Sequence, residues 1–339
     1  MSPASGSTPG ERSTWRHGQN AGAPSASTTG DWEDGRAQST SLAKNSTIIV
    51  TRVGVMDTSI GFHQVGYLFL FRDTADVDQH QAALATGSSG PGQAPYSVVS
   101  ALSHAGLVRD HNEDSLVIGQ WTLCAAETET PQTLVFPIAN PLVVAVADGL
   151  GGHPGGDIAS SLVVRELARA APTLDNEQRL RHVLNACNRA LYDIAADQPM
   201  LMAMGTTVAG VLLASDQVFA FNVGDSRVYT HGPEGLRQVS VDDSPPLAPG
   251  QEHTVIVTQT LGGRLTHTNV EPHVSAFPQS TEVRWLVCSD GLSDLVPNET
   301  LNDLLQETAD SRAAFELWKG AIEAGGHDNI TLALVRVAG

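Results

Sequence analysis

Four aspartates stand at or beside the ends of short apolar segments in this chain. Asp148 and Asp290 are each followed by glycine, and Asp328 by asparagine, which are residues that tolerate tight turns. Asp225 follows Gly224 after a further apolar run. One Asp-Gly at a strand end is usually only a turn, but four such positions together are harder to explain in that way. Since Mg²⁺ and Mn²⁺ prefer oxygen ligands, the pattern indicates a divalent-cation site built from carboxylates.

A second group of polar residues, at 109–114, reads Arg-Asp-His-Asn-Glu-Asp. Arg109 carries a permanently charged, planar fork that suits a pair of phosphate oxygens. Glu113 and Asp114 supply two further carboxylates. Taken alone, this segment is better explained as a surface loop of mixed charge, so its significance depends on the other motifs.

Several alternative phosphate chemistries are excluded by what the sequence lacks. The only lysines, Lys44 and Lys319, are not part of a G-x-x-x-x-G-K-[ST] motif, and neither suits the nucleotide-binding lysine of a kinase. None of the three cysteines is followed, six positions later, by the arginine that a cysteine-based phosphatase loop needs. G-x-S-x-G and H-E-x-x-H are also absent, and no histidine or cysteine cluster at the strand ends indicates zinc.

The elements that must position these groups are visible in the apolar pattern. Residues 142–147 predict a buried strand that ends at Asp148, followed by a glycine-rich turn and a helix from about Asp157. The residues expected to face inward on that helix are Ile158, Leu162 and Leu167. A second helix is predicted from apolar residues at helical spacing, namely Leu180, Val183, Leu184, Cys187, Leu191 and Ile194. Further strands are predicted at 206–213, 218–223, 227–230, 283–288 and 330–337, and helical patterns lie around 301–305 and 315–322. Short strands in groups and helices in separate blocks favour an α+β layered fold over a doubly wound parallel sheet.

Composition divides the 339 residues into three parts. Residues 1–44, dominated by Ser, Gly, Thr and Ala, are predicted to form a disordered tail because they offer little apolar surface to bury. Residues 45–95 combine β-prone segments with linker composition, and whether they pack on the domain is left open. Residues 96–339 are predicted to form the folded domain.

The charge balance limits the classes of partner. Lys and Arg total 19 against 37 Asp and Glu, a formal net charge of −18, so the chain lacks the basic surface that nucleic acid requires. Three cysteines without a C-x-x-C pair indicate neither a disulfide framework nor a thiolate metal site, which favours the cytoplasm. The sequence shows no signal peptide, and its apolar runs fall short of the ~20 residues that a membrane span needs.

Six segments, in this order, resemble the metal-dependent protein serine/threonine phosphatases of type 2C, the PPM family. They are Arg-Asp-His-Asn-Glu-Asp at 109–114, Val-Ala-Asp-Gly-Leu-Gly-Gly-His at 146–153 with Ala159-Ser160 beyond, Gly-Thr-Thr at 205–207, Val-Gly-Asp-Ser-Arg at 223–227, Cys-Ser-Asp-Gly-Leu-Ser-Asp at 288–294 and His-Asp-Asn-Ile-Thr at 327–331. Each segment is weak by itself. Their shared order across the predicted domain makes chance similarity improbable.

The resemblance implies a fold and a set of residue roles. The fold is a four-layer αββα sandwich, in which two antiparallel sheets are flanked by helices and hold two Mn²⁺ or Mg²⁺ ions at one end. The ligands would be Asp148, bridging both ions, with the carbonyl of Gly149, then Asp290 and Asp328, and, partly through water, Glu113 and Asp114. Asp225 would help to hold a weaker third ion. Arg109 would bind the substrate phosphate, while a metal-activated water attacks phosphorus.

Three departures from the family pattern bear on function. Leu150 stands where eukaryotic members carry histidine, which places this chain with the bacterial branch and leaves His153 as the candidate proton donor, with a turn histidine as the alternative. Asp243 stands where many relatives have histidine. The segment between Ser244 and Leu261 is shorter than the expected flap, which predicts a more open cleft.

The resulting functional hypothesis is hydrolysis of phosphoserine or phosphothreonine in proteins, opposing a bacterial serine/threonine kinase. The short flap, with residues 258–263, is faintly similar to members that oppose a threonine kinase controlling type VI secretion. The alternatives are a catalytically weak phosphoprotein-binding scaffold of the same fold and another two-metal phosphoesterase such as a nuclease, which the acidic balance disfavours.

Overall fold

Strands make up most of the ordered architecture. The computed structural model describes residues 95–138, 140–151, 154–246, 254, 256–306 and 309–338, together with the backbone of 49–53 and 66–70. In chain order the strands are β1 (Ile49–Val53), β2 (Gly66–Leu70), β3 (Tyr96–His104), β4 (Ser115–Ile118), β5 (Trp121–Cys124), β6 (Gln132–Pro137), β7 (Leu142–Ala147), β8 (Gly205–Thr206), β9 (Val208–Leu213), β10 (Gln217–Val223), β11 (Arg227–Gly232), β12 (Gly235–Gln238), β13 (Leu261–Gly262), β14 (His273–Pro278), β15 (Arg284–Cys288) and β16 (Ile330–Ala338). The α-helices are α1 (Gly156–Ala170), α2 (Glu177–Asp197), α3 (Asp290–Ser293), α4 (Asn298–Leu304) and α5 (Asp310–Glu323), with single 3-10 turns at Ala171–Thr173 and Pro199–Leu201.

The strands form two large antiparallel sheets. One has eight strands in the order β1-β2-β6-β3-β16-β15-β11-β12, and the other has six in the order β14-β10-β9-β7-β4-β5. Strands β13 and β8 form a separate short pair. The two antiparallel sheets flanked by helices confirm the predicted αββα fold class.

The apolar residues of strand β7 contribute to the packing on both faces of the six-stranded sheet. Its side chains alternate between the two faces of the sheet, as the period of a strand requires. Leu142, Val144 and Val146 pack in the core between the sheets, whereas Val143 and Ala145 pack beneath the helices on the outer face. Because both faces are covered, every residue of this strand is buried, which explains the continuous apolar run in the sequence.

Helices α1 and α2 cover the outer face of the six-stranded sheet. The amide of Arg179 donates to the side chain of Asn176, which caps α2 at its N-terminus. The predicted apolar face of α2 is confirmed, but the placement of Ile158 on the inner face of α1 is wrong. Ile158 is 41% exposed, because the buried face of α1 runs through Ala159, Val163 and Leu167 instead. Within the described residues, no helix is long and apolar enough to cross a membrane.

Helices α4 and α5 cover the outer face of the eight-stranded sheet. Their apolar residues, including Leu301 and Leu317, pack against Leu286 of β15 and Leu332 of β16. The start of α5 is tied to the sheet by Asp310, whose carboxylate lies 2.8 Å from Nε of Arg284. This apolar cluster beneath α4 and α5 adds to the one between the sheets and the one beneath α1 and α2, and it completes the sandwich.

The edge of the eight-stranded sheet is built by chain that precedes the predicted domain. Strand β2 pairs antiparallel with β6, with Tyr67 opposite Val135, and β1 pairs with β2 on the outside. Both strands lie within residues 45–95, which were predicted to contain β-prone segments. The predicted disordered tail, 1–44, and most of the predicted linker lie outside the described residues.

Candidate active site

Strand pairing brings the predicted carboxylates together at one end of the sandwich. In the six-stranded sheet Ser115 pairs with Ala147, so continuing the register by one residue sets Asp114 opposite Asp148. In the eight-stranded sheet Arg227 pairs with Cys288, and continuing by two residues sets Asp225 opposite Asp290. Each sheet thus contributes a pair of carboxylates to the same end.

A hydrogen bond links the two pairs across the interface between the sheets. The hydroxyl of Ser289, the residue before Asp290, donates to Oδ2 of Asp114 at 2.8 Å. The same hydroxyl accepts the amide of Thr331 in β16 at 3.0 Å. Ser289, for which no role was predicted, therefore links the two sheets at the site. Its position next to Asp290 in the sequence could have identified it.

The carboxylates destabilise one another's charged forms. Burial raises the pKa of Asp114 to about 7, and burial together with the charge of Asp290 raises that of Asp225 to about 7. Burial and the charge of Asp328 raise the pKa of Asp290 to about 6. For Asp148, burial followed by the charges of Asp114 and Asp290 raises the pKa well above its usual value. Carboxylates with like-charged neighbours and little solvent favour a bound cation.

The donor set fits a hard divalent cation. Asp114 is fully buried, and its Oδ1 has no hydrogen-bond partner among the described residues. An orphaned, buried carboxylate oxygen is costly unless a proton or cation satisfies it. As the side chains stand, no three acidic, histidine or cysteine groups in the described chain surround a common point at metal-binding distance. Asp328 is instead engaged by Arg109 and by the amide of Asn329.

Arg109 lies beside the carboxylates on the loop between β3 and β4. Its Nη2 lies 2.6 Å from Oδ2 of Asp328, and this hydrogen bond raises the pKa of Arg109. A methyl group at Gly151 would lie 2.8 Å from Nη1, so the guanidinium rests against the loop that follows Asp148. The Arg109 and Asp328 side chains are 40% and 36% exposed, which leaves this pair accessible to an anion.

Glu113 and Gly149 lie where the start of α1 meets the β3–β4 loop. A side chain at Gly149 would lie 2.5 Å from the carbonyl of Gly156 and 2.8 Å from that of Glu113, so only glycine fits. Glu113 Oε1 lies 3.4 Å from Nε2 of His111. Of the predicted site residues, Arg109, Glu113, Asp114, Asp148, Gly149, Asp225, Asp290 and Asp328 are gathered at this end, whereas His153 lies outside the described residues.

Asp243, the departure from the family pattern, ties three segments together. One oxygen of its carboxylate accepts hydrogen bonds from the amide of Gly224 and from the side chain of Gln259, and the other lies 3.0 Å from Nε2 of His273. Since Gly224 precedes Asp225, these contacts support the turn that carries this carboxylate. Most of the predicted short flap, residues 247–253 and 255, lies outside the described residues.

Comparison with known proteins identifies the family of this chain. The family model described as protein phosphatase 2C matches residues 135–319. The serine/threonine protein phosphatase PstP of Mycobacterium tuberculosis is 32% identical over 249 residues, a region that covers 70% of this chain but only 44% of that relative.

Solved structures are similar over the same region. The catalytic domain of serine/threonine protein phosphatase PstP in complex with two manganese ions has a TM-score of 0.58 and 29% identity, covering 72% of this chain and 100% of that chain. PppA, described as a key regulatory component of the type VI secretion system in Pseudomonas aeruginosa, has a TM-score of 0.58 and 28% identity. The match covers 72% of this chain and 98% of that chain. Because the family model matches more than half of the residues of this chain, the chain belongs to the protein phosphatase 2C family.

Proposed function

We propose that this protein hydrolyses phosphoserine and phosphothreonine in proteins with the help of bound Mn²⁺ or Mg²⁺. The observation that carries the proposal is the set of crowded carboxylates, including the orphaned Oδ1 of Asp114, beside the accessible guanidinium of Arg109. Support comes from the PstP catalytic domain, which is similar to this chain and is in complex with two manganese ions.

The proposed ligands are the residues gathered at the end of the sandwich. Asp148, the carbonyl of Gly149, Asp290 and Asp328 would hold two ions, with Glu113 and Asp114 in support and Asp225 for a weaker third. Bound divalent cations would make water nucleophilic at neutral pH and neutralise phosphoryl oxygens. The chain would do the rest: the planar fork of Arg109 grips and orients the phosphate, and an acid protonates the leaving serine or threonine oxygen. His153 is the proposed acid.

The test is hydrolysis of a phosphothreonine peptide by the full chain in Mn²⁺, Mg²⁺ or chelator. We expect turnover only with a cation, and its loss in Asp290→Asn. The matched control is Asp193→Asn, which removes an exposed carboxylate from α2. Turnover that survives excess chelator would contradict the proposal, while silence from folded, metal-loaded protein would favour a phosphoprotein-binding scaffold.

The finer proposal concerns the partner and the pathway. We infer that the substrates include a serine/threonine kinase, or the proteins that it phosphorylates, in type VI secretion. Similarity to PppA of Pseudomonas aeruginosa supports this choice of pathway. The three cysteines, all free, fit a reducing compartment, so the proposed location is the cytoplasm. Deleting the gene should change secretion-dependent killing of competitor cells, and unchanged killing would overturn the pathway assignment.

A further inference from the structure

The loop that carries Arg109 is closed at its two ends by a single side chain. Nδ2 of Asn329 donates to the carbonyl of Ala105 and to the carbonyl of His111, each at 3.0 Å. Oδ1 of the same side chain accepts the amide of Glu113 at 2.8 Å. Asn329 therefore holds both ends of loop 105–111 next to Asp328.

The start of the loop is also fixed along its backbone. The amide of Gly106 donates to Nδ1 of His104 at 2.9 Å, and the amide of Leu107 donates to the carbonyl of Gly326 at 2.7 Å. Gly106 has a φ of +81°, and a methyl group there would lie 2.2 Å from the carbonyl oxygen of Asp328, so the turn requires glycine. The loop is thus anchored at both ends by contacts with residues outside it.

This loop presents two large apolar side chains to solvent. Leu107 is 63% exposed and Val108 is 61% exposed. The other large apolar side chains exposed in the described residues are Ile158, Met200, Met202, Val241, Ile256 and Leu265, and no two of these are adjacent in sequence. Single exposed apolar residues are normal, so the features that distinguish this pair are its adjacency and its position directly before Arg109, the proposed phosphate-binding residue.

We propose that Leu107 and Val108 select substrates in which a large apolar residue lies within two positions of the phosphorylated serine or threonine. Leu107 and Val108 directly precede Arg109, and consecutive Cα atoms are about 3.8 Å apart, so residues close to a phosphate held by Arg109 are within reach of this pair. Apolar contact there removes exposed surface of both partners from water. This inference rests on the proposed phosphatase function and names its substrate class.

The test compares two phosphothreonine peptides of equal charge, one with leucine on both sides of the phosphothreonine and one with alanine there. In Mn²⁺, the wild-type chain should show a kcat/KM about tenfold higher for the leucine peptide, equal to about 1.4 kcal/mol. In the double variant Leu107→Ser with Val108→Ser this ratio should fall to about one. The matched control, Met200→Ser, removes a side chain that is 81% exposed in the 3-10 turn Pro199–Leu201 and should keep the wild-type ratio.

The outcomes separate this inference from the function on which it rests. Equal kcat/KM for the two peptides in the wild type, or a ratio that persists in the double variant, would overturn the apolar selection while leaving the phosphatase intact. If the wild type hydrolyses neither peptide nor p-nitrophenyl phosphate in Mn²⁺, the proposed function fails instead. Fluorescence anisotropy of the same labelled peptides then decides the selection, because tighter binding of the leucine peptide must disappear in the double variant.

Discussion

Two fully buried aspartates in this protein have opposite surroundings. Asp310, at the start of α5, is 1% exposed and lies between two arginines, with its oxygens 2.8 Å from Nε of Arg284 and 3.0 Å from Nε of Arg336. Asp114, at the end of the sandwich, is 0% exposed, and its charged neighbours include Asp290 and Asp328. The first carboxylate is neutralised by the chain itself, whereas the second is surrounded by its own sign.

The difference distinguishes a structural carboxylate from one placed for a ligand. A buried charge is tolerated when a fixed partner of opposite sign compensates it, and the two arginines do this for Asp310. Nothing comparable compensates the carboxylates beside Asp114 in the described residues, since Arg109 pairs with Asp328 at an accessible position. The carboxylates at the site therefore repel one another within the fold, whereas the buried carboxylate of Asp310 is stabilised by arginines.

The largest effect is expected from Asp148→Asn. This change removes the carboxylate proposed to contact both cations, so Mn²⁺-dependent hydrolysis of a phosphothreonine peptide should fall by about a thousandfold or more. The folded structure should persist, because one of several mutually repelling charges is lost. Steady-state kinetics measures the turnover, and circular dichroism on the same samples measures the folded structure. Near-normal turnover in Asp148→Asn would contradict the assignment of Asp148 as a cation ligand.

Asp310→Asn should show the reverse pattern. It removes the buried charge that both Arg284 and Arg336 contact at the start of α5, so the free energy of unfolding should fall by about 3 kcal/mol. Turnover per folded molecule should be retained. Urea denaturation measures the loss of stability. Asp193→Asn is the control, because it changes the net charge by the same amount. Equal stability of the two variants would show that Asp310 does not stabilise the fold, and the contrast with the site carboxylates would then fail.

Stability of the metal-free protein should depend on pH in the direction set by the site. The folded-state pKa values of Asp114 and Asp225 are raised to about 7, above the ordinary value near 3.8. Protonation therefore favours the folded state: the stabilisation is complete below about pH 3.8 and is lost as the pH rises through 7. In chelator, the free energy of unfolding should fall by a few kcal/mol between pH 5 and pH 8.

A matched variant isolates the contribution of the site to this pH dependence, because the net charge of −18 also acts at high pH. Asp114→Asn cannot ionise, so it should show a shallower fall than the wild type between the same pH values. Added Mn²⁺ should abolish the fall in the wild type. An identical slope in wild type and Asp114→Asn would show that this carboxylate is not under electrostatic stress.

Arg109→Lys should give the smallest effect. Arg109 pairs with Asp328 much as Arg284 pairs with Asp310, but the Arg109 side chain is 40% exposed, whereas that of Arg284 is 12% exposed. An accessible pair is weak and can exchange its carboxylate for a phosphate. Lysine keeps the charge and loses the two-pronged contact, so kcat/KM should fall about tenfold. Arg312→Lys on α5 is the control, and equal kcat/KM in both would remove phosphate binding from Arg109.

The longer apolar runs were predictable from sequence, whereas short or mixed strands were not; β4, for example, is fully buried but has only four residues, and it was not predicted. Residues 142–147 are buried on both faces, so their pattern left little choice but a strand that ends at Asp148. Strand β14 was missed because several of its residues are exposed at the edge of the sheet. Ile158 was assigned to the inner face because local spacing does not reveal how a helix is rotated against a sheet.

The sequence by itself determined which groups could do chemistry: carboxylates at strand ends, an arginine beside them, and their order along the chain. Local turn chemistry and apolar periodicity carry that information, because both act over a few residues. Only the tertiary structure decided that Ser289 links the sheets through Asp114 and that Asn329 closes loop 105–111. It also decided that Asp310 pairs with two arginines, whereas Asp114 pairs with none among the residues that the structure describes. These contacts join residues far apart in the chain, and they depend on strand register and sheet packing, which no local pattern specifies.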